Sequence, residues 1–415
     1  MPDPFRYEGD SLYCEDVPLA DIAARAGTPC YVYSSRAILE TYRAYDEGLA
    51  GIPHRVCYAV KANSNLAVLA LLARAGAGFD IVSGGELYRV LKAGGDPSSV
   101  VFSGVGKTAD EVEYALEKGI YSFNCESESE LALIDAIAAR RRVKARVSFR
   151  VNPDVSAETH PYISTGLREH KFGIDIAEAE SLYQRACALR NVEMEGVSCH
   201  IGSQLLDVNP LLEAVDKMLE LVDRLRAAGI TVRSLDLGGG LGVPYRPGEQ
   251  APEIRGFTAQ LREKAAGRDL FLIVEPGRSI VGEAGVLLTR VLYRKCRPNK
   301  EFVVVDAAMN DLIRPSLYQS HHEILPVRRQ HRGDILADVV GPVCESGDFL
   351  ARDRKLDNVL PGDLLAVATT GAYGFVAASN YNSRVRPPEI LVESGSWRLV
   401  RARETYEDLI RGEIV

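Results

Sequence analysis

No uninterrupted apolar stretch in this 415-residue chain approaches the ~18 residues that a membrane-spanning helix needs, so no membrane role is expected. The start, MPDPFRYEGD, has no basic segment leading into an apolar run, and no secretory signal is expected. No run of like charges is long enough to suggest a tail, and there is no low-complexity tract. The formal net charge of -8 favours solubility and argues against a nucleic-acid partner. Eight cysteines are scattered with no CxxC pair. In a chain this size they read as reduced thiols in a cytoplasm, not as a disulfide framework. What is present is an ordinary globular composition, in a chain longer than one core usually supports, so two domains are expected.

From about residue 55 to residue 283 one pattern recurs: a short β-branched or aromatic run, a polar loop, then an amphipathic helix. The expected strands are Arg55–Val60, Gly78–Val82, Val100–Phe102, Ile120–Phe123, Lys144–Val151, Val192–Cys199, Ser234–Leu237 and Phe271–Val274. Between them, segments such as NLAVLALLARAG and TADEVEYALEKG repeat apolar residues three and four apart and end at glycine. Eight such units predict a parallel (β/α)8 barrel of the TIM type; an open doubly wound sheet is the alternative. Past Gly285 the texture changes to strands with few long helices: Val286–Tyr293, Phe302–Val305, Ile335–Val340, Leu364–Ala368 and Glu389–Val392. The expected division is a barrel over 36–283 and a mainly β domain, sandwich- or barrel-like, built from 1–35 plus 284–415.

In a barrel, chemistry collects at the C-terminal ends of the strands. There the sequence puts Lys61; Asp80 and Ser83-Gly84-Gly85; Ser103-Gly104; Asn124; Asn152-Pro153-Asp154; His200 to Ser203; Gly238 to Gly242; and Glu275 to Arg278. Four glycines in the GGGLG run let backbone approach a ligand and aim N–H groups at it. The loops after strands seven and eight are where barrels often bind phosphate, with Gly239, Gly240, Gly277 and Ser203 as candidate donors. A lysine in a barrel mouth is a carbonyl nucleophile. Lysine and phosphate cradle together suggest pyridoxal 5'-phosphate, with Glu275 at the pyridine nitrogen and His200 stacked on the ring. Taken singly, each has a plainer reading: a solvated lysine, an ion-paired glutamate, a structural histidine. The loop Asn152–Lys171 reads as a lid or a fixed Ω-loop.

YAVKAN, CHIGSQ, GGGLG and EPGR, in that order, resemble the fold-type III pyridoxal-phosphate decarboxylases. HPYISTGLREHKFGI, MNDLIRPSLYQSHHEI, GPVCESGD and GAYGF narrow the resemblance to the diaminopimelate decarboxylases. The resemblance implies decarboxylation of meso-2,6-diaminopimelate to L-lysine and CO2, the last step of lysine biosynthesis, through a Schiff base on Lys61. It implies a cofactor site of Lys61, Asp80, His200, Ser203, Gly239, Gly240, Glu275, Gly277, Arg278 and Tyr373. Arg278, Arg314 and Tyr318 would hold the distal carboxylate, Glu345 the distal ammonium, and Tyr373 would touch the substrate. Cys344 would protonate the carbanion. It further implies a homodimer in which Cys344 and Glu345 come from the partner subunit, and no metal.

The residue types suit that chemistry. Guanidinium forks pair bidentately with a carboxylate. An ornithine decarboxylase would leave a buried Arg314 without such a partner. The competing readings are a relative acting on arginine, ornithine or carboxynorspermidine, and a non-catalytic homologue.

Overall fold

The computed structural model describes residues 4–155 and 171–415. Most of the loop Asn152–Lys171 therefore lies outside the described residues. The chain divides into two compact units, one of residues 40–243 with 250–279, the other of residues 1–39, 244–249 and 280–415.

The first unit is a closed barrel of eight parallel strands: β1 His54–Ala59, β2 Gly78–Ile81, β3 Val100–Phe102, β4 Ser122–Cys125, β5 Ala145–Asn152, β6 Val192–Ser198, β7 Ser234–Asp236 and β8 Phe271–Val274. Each pairs with the next, and Leu272 of β8 registers with His54 of β1, which closes the ring and excludes the open sheet. Strands covered on both faces need continuous apolar runs, and Val100-Val101-Phe102 is wholly buried. Several of the helices between them start on side-chain caps at the strands' C-terminal end. Ser83 accepts from the Glu86 amide, Ser127 from Glu130, and Thr108 forms a reciprocal capping box with Glu111. These caps fix the loops that carry the candidate site.

The fourth strand starts two residues later than the sequence suggests. Gly119 takes the left-handed conformation, and the Ile120 amide returns to the Ala115 carbonyl, so Ile120 seals the end of the preceding helix. Strand pairing begins at Ser122. Asn124 thus lies within the barrel wall instead of beyond it, and Asp80 likewise sits within β2.

The second unit is mainly β. Its long strand Gly285–Arg297 pairs antiparallel with Cys30–Ser34, Lys300–Val305 and Leu364–Val367. Cys30–Ser34 pairs parallel with Glu389–Glu393. Val32, Val286, Leu288, Ala366 and Ile390 form part of its core. Two strands without a clear sequence signal, Phe349–Asp357 and Ser396–Arg401, each carry two arginines; the first is only partly buried and the second has no buried residue. Among the described residues no helix is long and apolar enough to cross a membrane.

Candidate active site

β1 runs apolar and buried up to Ala59, and a 3-10 turn, Val60–Ala62, then carries Lys61 to the barrel mouth. Lys61 does not simply face water: its Nζ donates to Asp80 Oδ2 at 2.6 Å. Asp80 is fully buried while the lysine side chain remains 37% exposed. A buried carboxylate needs a cation, so Asp80 holds the amine at the mouth with one side still open. The other Asp80 oxygen, Oδ1, is buried and has no hydrogen-bond partner among the described residues.

Two further carboxyls lie deeper. Glu275, at the end of β8, and Asp236, the last residue of β7, are both buried and within hydrogen-bond reach of each other. Asp236 accepts from the Gly238 amide and from Asn124 Nδ2, each at 2.9 Å. Asn124 also donates to Ser103 Oγ at 3.2 Å, and Ser103 to Glu275 Oε1 at 3.4 Å. Burial, then the neighbouring Asp236 and Asp80, push the Glu275 carboxyl well above the usual carboxylate range. Burial pushes Asp236 upward as well.

His200 follows β6. Its Nδ1 accepts from the Gly239 amide at 3.2 Å, which places the ring proton on Nε2. Burial, then the nearby Arg150 and Lys61 cations, hold this imidazole well below its ordinary value, so it is neutral. A Cβ on Gly239 would come within 2.3 Å of the Glu275 carbonyl, and one on Gly240, at φ +127, within 2.8 Å of the Gly202 carbonyl. Both positions therefore require glycine. At Gly277 an added Cβ would meet Ala59 and Ala62 at 3.0 Å. Buried Arg278 donates to Ser203 Oγ at 3.1 Å. Lys61, Asp80, His200, Ser203, Gly239, Gly240, Glu275, Gly277 and Arg278 are thus linked around one end of one barrel.

Two ion pairs brace that end. Lys107 Nζ, buried, donates to the Gly104 and Asn124 carbonyls and to Glu130, at 2.7, 2.8 and 2.7 Å. Arg150 donates to Glu126 at 3.1 Å and to the His200 carbonyl at 3.2 Å, and Glu126 in turn accepts from the Gly173 amide at 2.6 Å. Asp236, Glu126 and Arg150 carried no signal at the sequence level, because each sits on or beside a strand with nothing local to mark it.

In the second unit, Arg314 opens the short helix Arg314–Tyr318, which places Tyr318 at its end. The Arg314 guanidinium, 6% exposed, lies 4.8 Å over the Tyr245 ring and donates to Ser320 Oγ and His322 Nε2 at 3.3 and 3.4 Å. His322 Nδ1 lies 2.9 Å from the Ala368 carbonyl, so a proton on Nδ1 donates there and Nε2 accepts from the arginine. His322 is a further residue that sequence reasoning passed over; its only signal was its place in the SHHEI stretch. Cys344 and Glu345 are exposed on the 341–348 loop. That loop is pinned by Asp348, which accepts from the Val343 and Met309 amides at 2.7 Å each, while the Cys344 amide donates to Asn382. Tyr373 stands at positive φ, 56°, in the GAYGF turn.

Comparison with known proteins places this arrangement. Residues 35–282 match the family model for the pyridoxal-binding domain of pyridoxal-dependent decarboxylases. The chain is 58% identical to a diaminopimelate decarboxylase of Pseudomonas aeruginosa over 411 residues, covering 99% of each, and 52% identical to that of Vibrio cholerae over 409 residues, covering 98% of each. The chain belongs to the diaminopimelate decarboxylase family. Solved structures agree. The Helicobacter pylori diaminopimelate decarboxylase, in complex with L-lysine, superposes with a TM-score of 0.91 at 45% identity, covering 95% of this chain and 98% of that one. The M. jannaschii enzyme, also in complex with L-lysine, gives 0.94 at 39% identity, covering 99% and 98%.

Proposed function

We propose that the chain decarboxylates meso-2,6-diaminopimelate to L-lysine and CO2 with pyridoxal 5'-phosphate as cofactor. The observation that carries this reading is the convergence, at one barrel end, of a partly exposed lysine amine, a glycine turn closed against backbone, and a buried glutamate that favours a proton. The cofactor fits these groups. Bare glycine backbone stands at 239, 240 and 277, Glu275 has a carboxyl to set against a ring nitrogen, and Asp80 has an oxygen to spare. Lys61 would hold the cofactor covalently, and Ser203, Gly239, Gly240, Gly277 and Arg278 its phosphate. His200 would lie on the ring and Tyr373 would complete the site. When bound, pyridoxal phosphate supplies the electron sink for the charge left on Cα.

The protein's own groups do the rest. Asp80 orients the Lys61 amine. Neutral His200 offers a ring face without adding a cation. To the substrate's distal carboxylate we assign Arg278, Arg314 and Tyr318; their grip on the far end would orient the reacting end of the substrate. The His322 and Ser320 contacts hold the Arg314 fork at a fixed angle. Glu345 takes the distal ammonium, and the Cys344 thiol returns a proton to Cα. We further propose a homodimer in which each subunit lends Cys344 and Glu345 to its partner's site. Because all eight cysteines are free, we propose a cytoplasmic location.

The test is turnover on diaminopimelate, ornithine and arginine side by side. Faster CO2 release from ornithine or arginine would refute the substrate assignment. A Lys61→Ala variant with full activity would refute the cofactor attachment.

A further inference from the structure

The floor of the barrel mouth holds more acid than base. Asp80, Asp236 and Glu275 are buried together, and the cation facing them is Lys61, which is paired to Asp80. The groups around Asp236 and Glu275 come from six strands or their ends. These are Cys57 on β1, Asp80 on β2, Ser103 past β3, Asn124 on β4, Cys199 past β6, and the Gly238 amide past β7. Burial pushes both thiols upward, so they are neutral; Ser103, Asn124 and the Gly238 amide are neutral donors, and Asp80 adds a further like charge. Two carboxylates within hydrogen-bond reach, with no cation paired to either among the described residues, cannot both stay ionised in such a place.

We propose that Asp236 is a positioning residue that holds one proton jointly with Glu275 in the cofactor-free chain, and that the pair delivers this proton to the ring nitrogen when pyridoxal phosphate seats. The inference rests on the cofactor reading above. In this step one carboxyl O–H bond breaks and one ring N–H bond forms. Glu275 is left as a carboxylate against the protonated ring nitrogen. Asp236 is left as a carboxylate held by the Gly238 amide and Asn124 Nδ2, two bonds already in place. Nothing is oxidised or reduced, and no proton is drawn from solvent.

The experiment counts protons. Pyridoxal phosphate is titrated into the cofactor-free full chain by calorimetry, in two buffers of different ionisation enthalpy, across a pH series in which the free ring nitrogen is unprotonated. In the wild-type chain the pair supplies the proton, so uptake from buffer stays near zero until a pH at which the pair ionises. Asp236→Asn removes the like charge that makes Glu275 retain a proton, so buffer uptake of up to one proton per site sets in roughly one to three pH units lower. Asn124→Leu removes a donor that stabilises ionised Asp236 and shifts the onset upward. A variant that only damaged structure would not move the onset in opposite directions at the two positions, and the second variant serves if the first does not fold. Coincident onsets in all three proteins, or both variants shifting the same way, would overturn the proposal. A wild-type chain that binds no pyridoxal phosphate and gains no visible absorption would instead overturn the cofactor reading itself, and the two failures are distinguishable.

Discussion

Replacing Lys107 with methionine should loosen the barrel at the site without touching any group assigned to cofactor or substrate. The amine is buried, with its side chain 1% exposed, and makes three short bonds: to the Gly104 carbonyl, the Asn124 carbonyl and Glu130. Methionine fills similar space but leaves Glu130, 8% exposed, as a buried carboxylate whose Oε2 keeps the Glu126 amide at 3.0 Å. Removing one partner of a buried pair costs about 3–5 kcal/mol, most of it the stranded charge. Adding Glu130→Gln should therefore recover at least half of that loss, since a neutral amide keeps the Glu126 bond and can donate to a stranded carbonyl. A two-unit chain does not unfold in one step. The readout is accordingly native-state hydrogen exchange at β3 and β4, which reports local opening free energies. The expectation is faster exchange there in Lys107→Met by a factor of roughly 100 to 4000, with the double variant between it and wild type. Unchanged exchange in the single variant, or a double variant worse than the single, would refute the stranded-charge reasoning.

Other outcomes follow from the same contacts. Arg314→Met should raise KM for diaminopimelate by at least tenfold and narrow its preference over ornithine, because a charge-assisted fork of about 1.5–3 kcal/mol is lost; parallel Michaelis–Menten series check it. Mixing inactive Lys61→Ala and Cys344→Ala chains should restore up to about a quarter of wild-type activity if sites are shared between subunits, since random pairing puts half the chains in heterodimers with one intact site of two. No recovery with subunit exchange demonstrated would exclude sharing. Asp311, buried in the second unit, has its carboxyl pushed up to about 7 by desolvation. An acid raised on folding contributes stability that is fully present below its unfolded value near 4 and is lost as pH rises through 7. Asp311→Asn should therefore flatten the pH dependence of that unit's stability over this window, by on the order of 4 kcal/mol, as followed by denaturant midpoints. Gly239→Ala should abolish visible cofactor absorption, because the added methyl would lie 2.3 Å from the Glu275 carbonyl.

Which parts of this site a sequence reveals depends on where they sit in the fold. Lys61, His200, the 238–242 glycines and Glu275 to Arg278 fall where buried apolar strands stop, and the change from apolar to polar is itself the signal. Arg314, Tyr318, Cys344, Glu345 and Tyr373 have no such edge, and only likeness to a family singled them out. Asp236 escaped altogether. It is the third residue of a three-residue strand, and in sequence it looks like one polar residue in the SLDLGGG run. Its meaning comes from Asn124, 112 residues away, and from Glu275, just past the end of the next strand. Asn124 was misplaced for a related reason: Ile120 and Tyr121 have the β-branched and aromatic character of a strand, but the left-handed Gly119 commits Ile120 to the helix end. Local pattern marks where a barrel opens. It does not mark which inward residues meet, because Asp236 reaches Glu275 only when β7 pairs with β8, and Asn124 only across the closed barrel. A cluster with three carboxyls and one lysine is costly to bury. Its presence where Lys107 and Arg150 each already have their own carboxylate is the physical reason to assign it to chemistry, and the proton count on cofactor loading tests that assignment most directly.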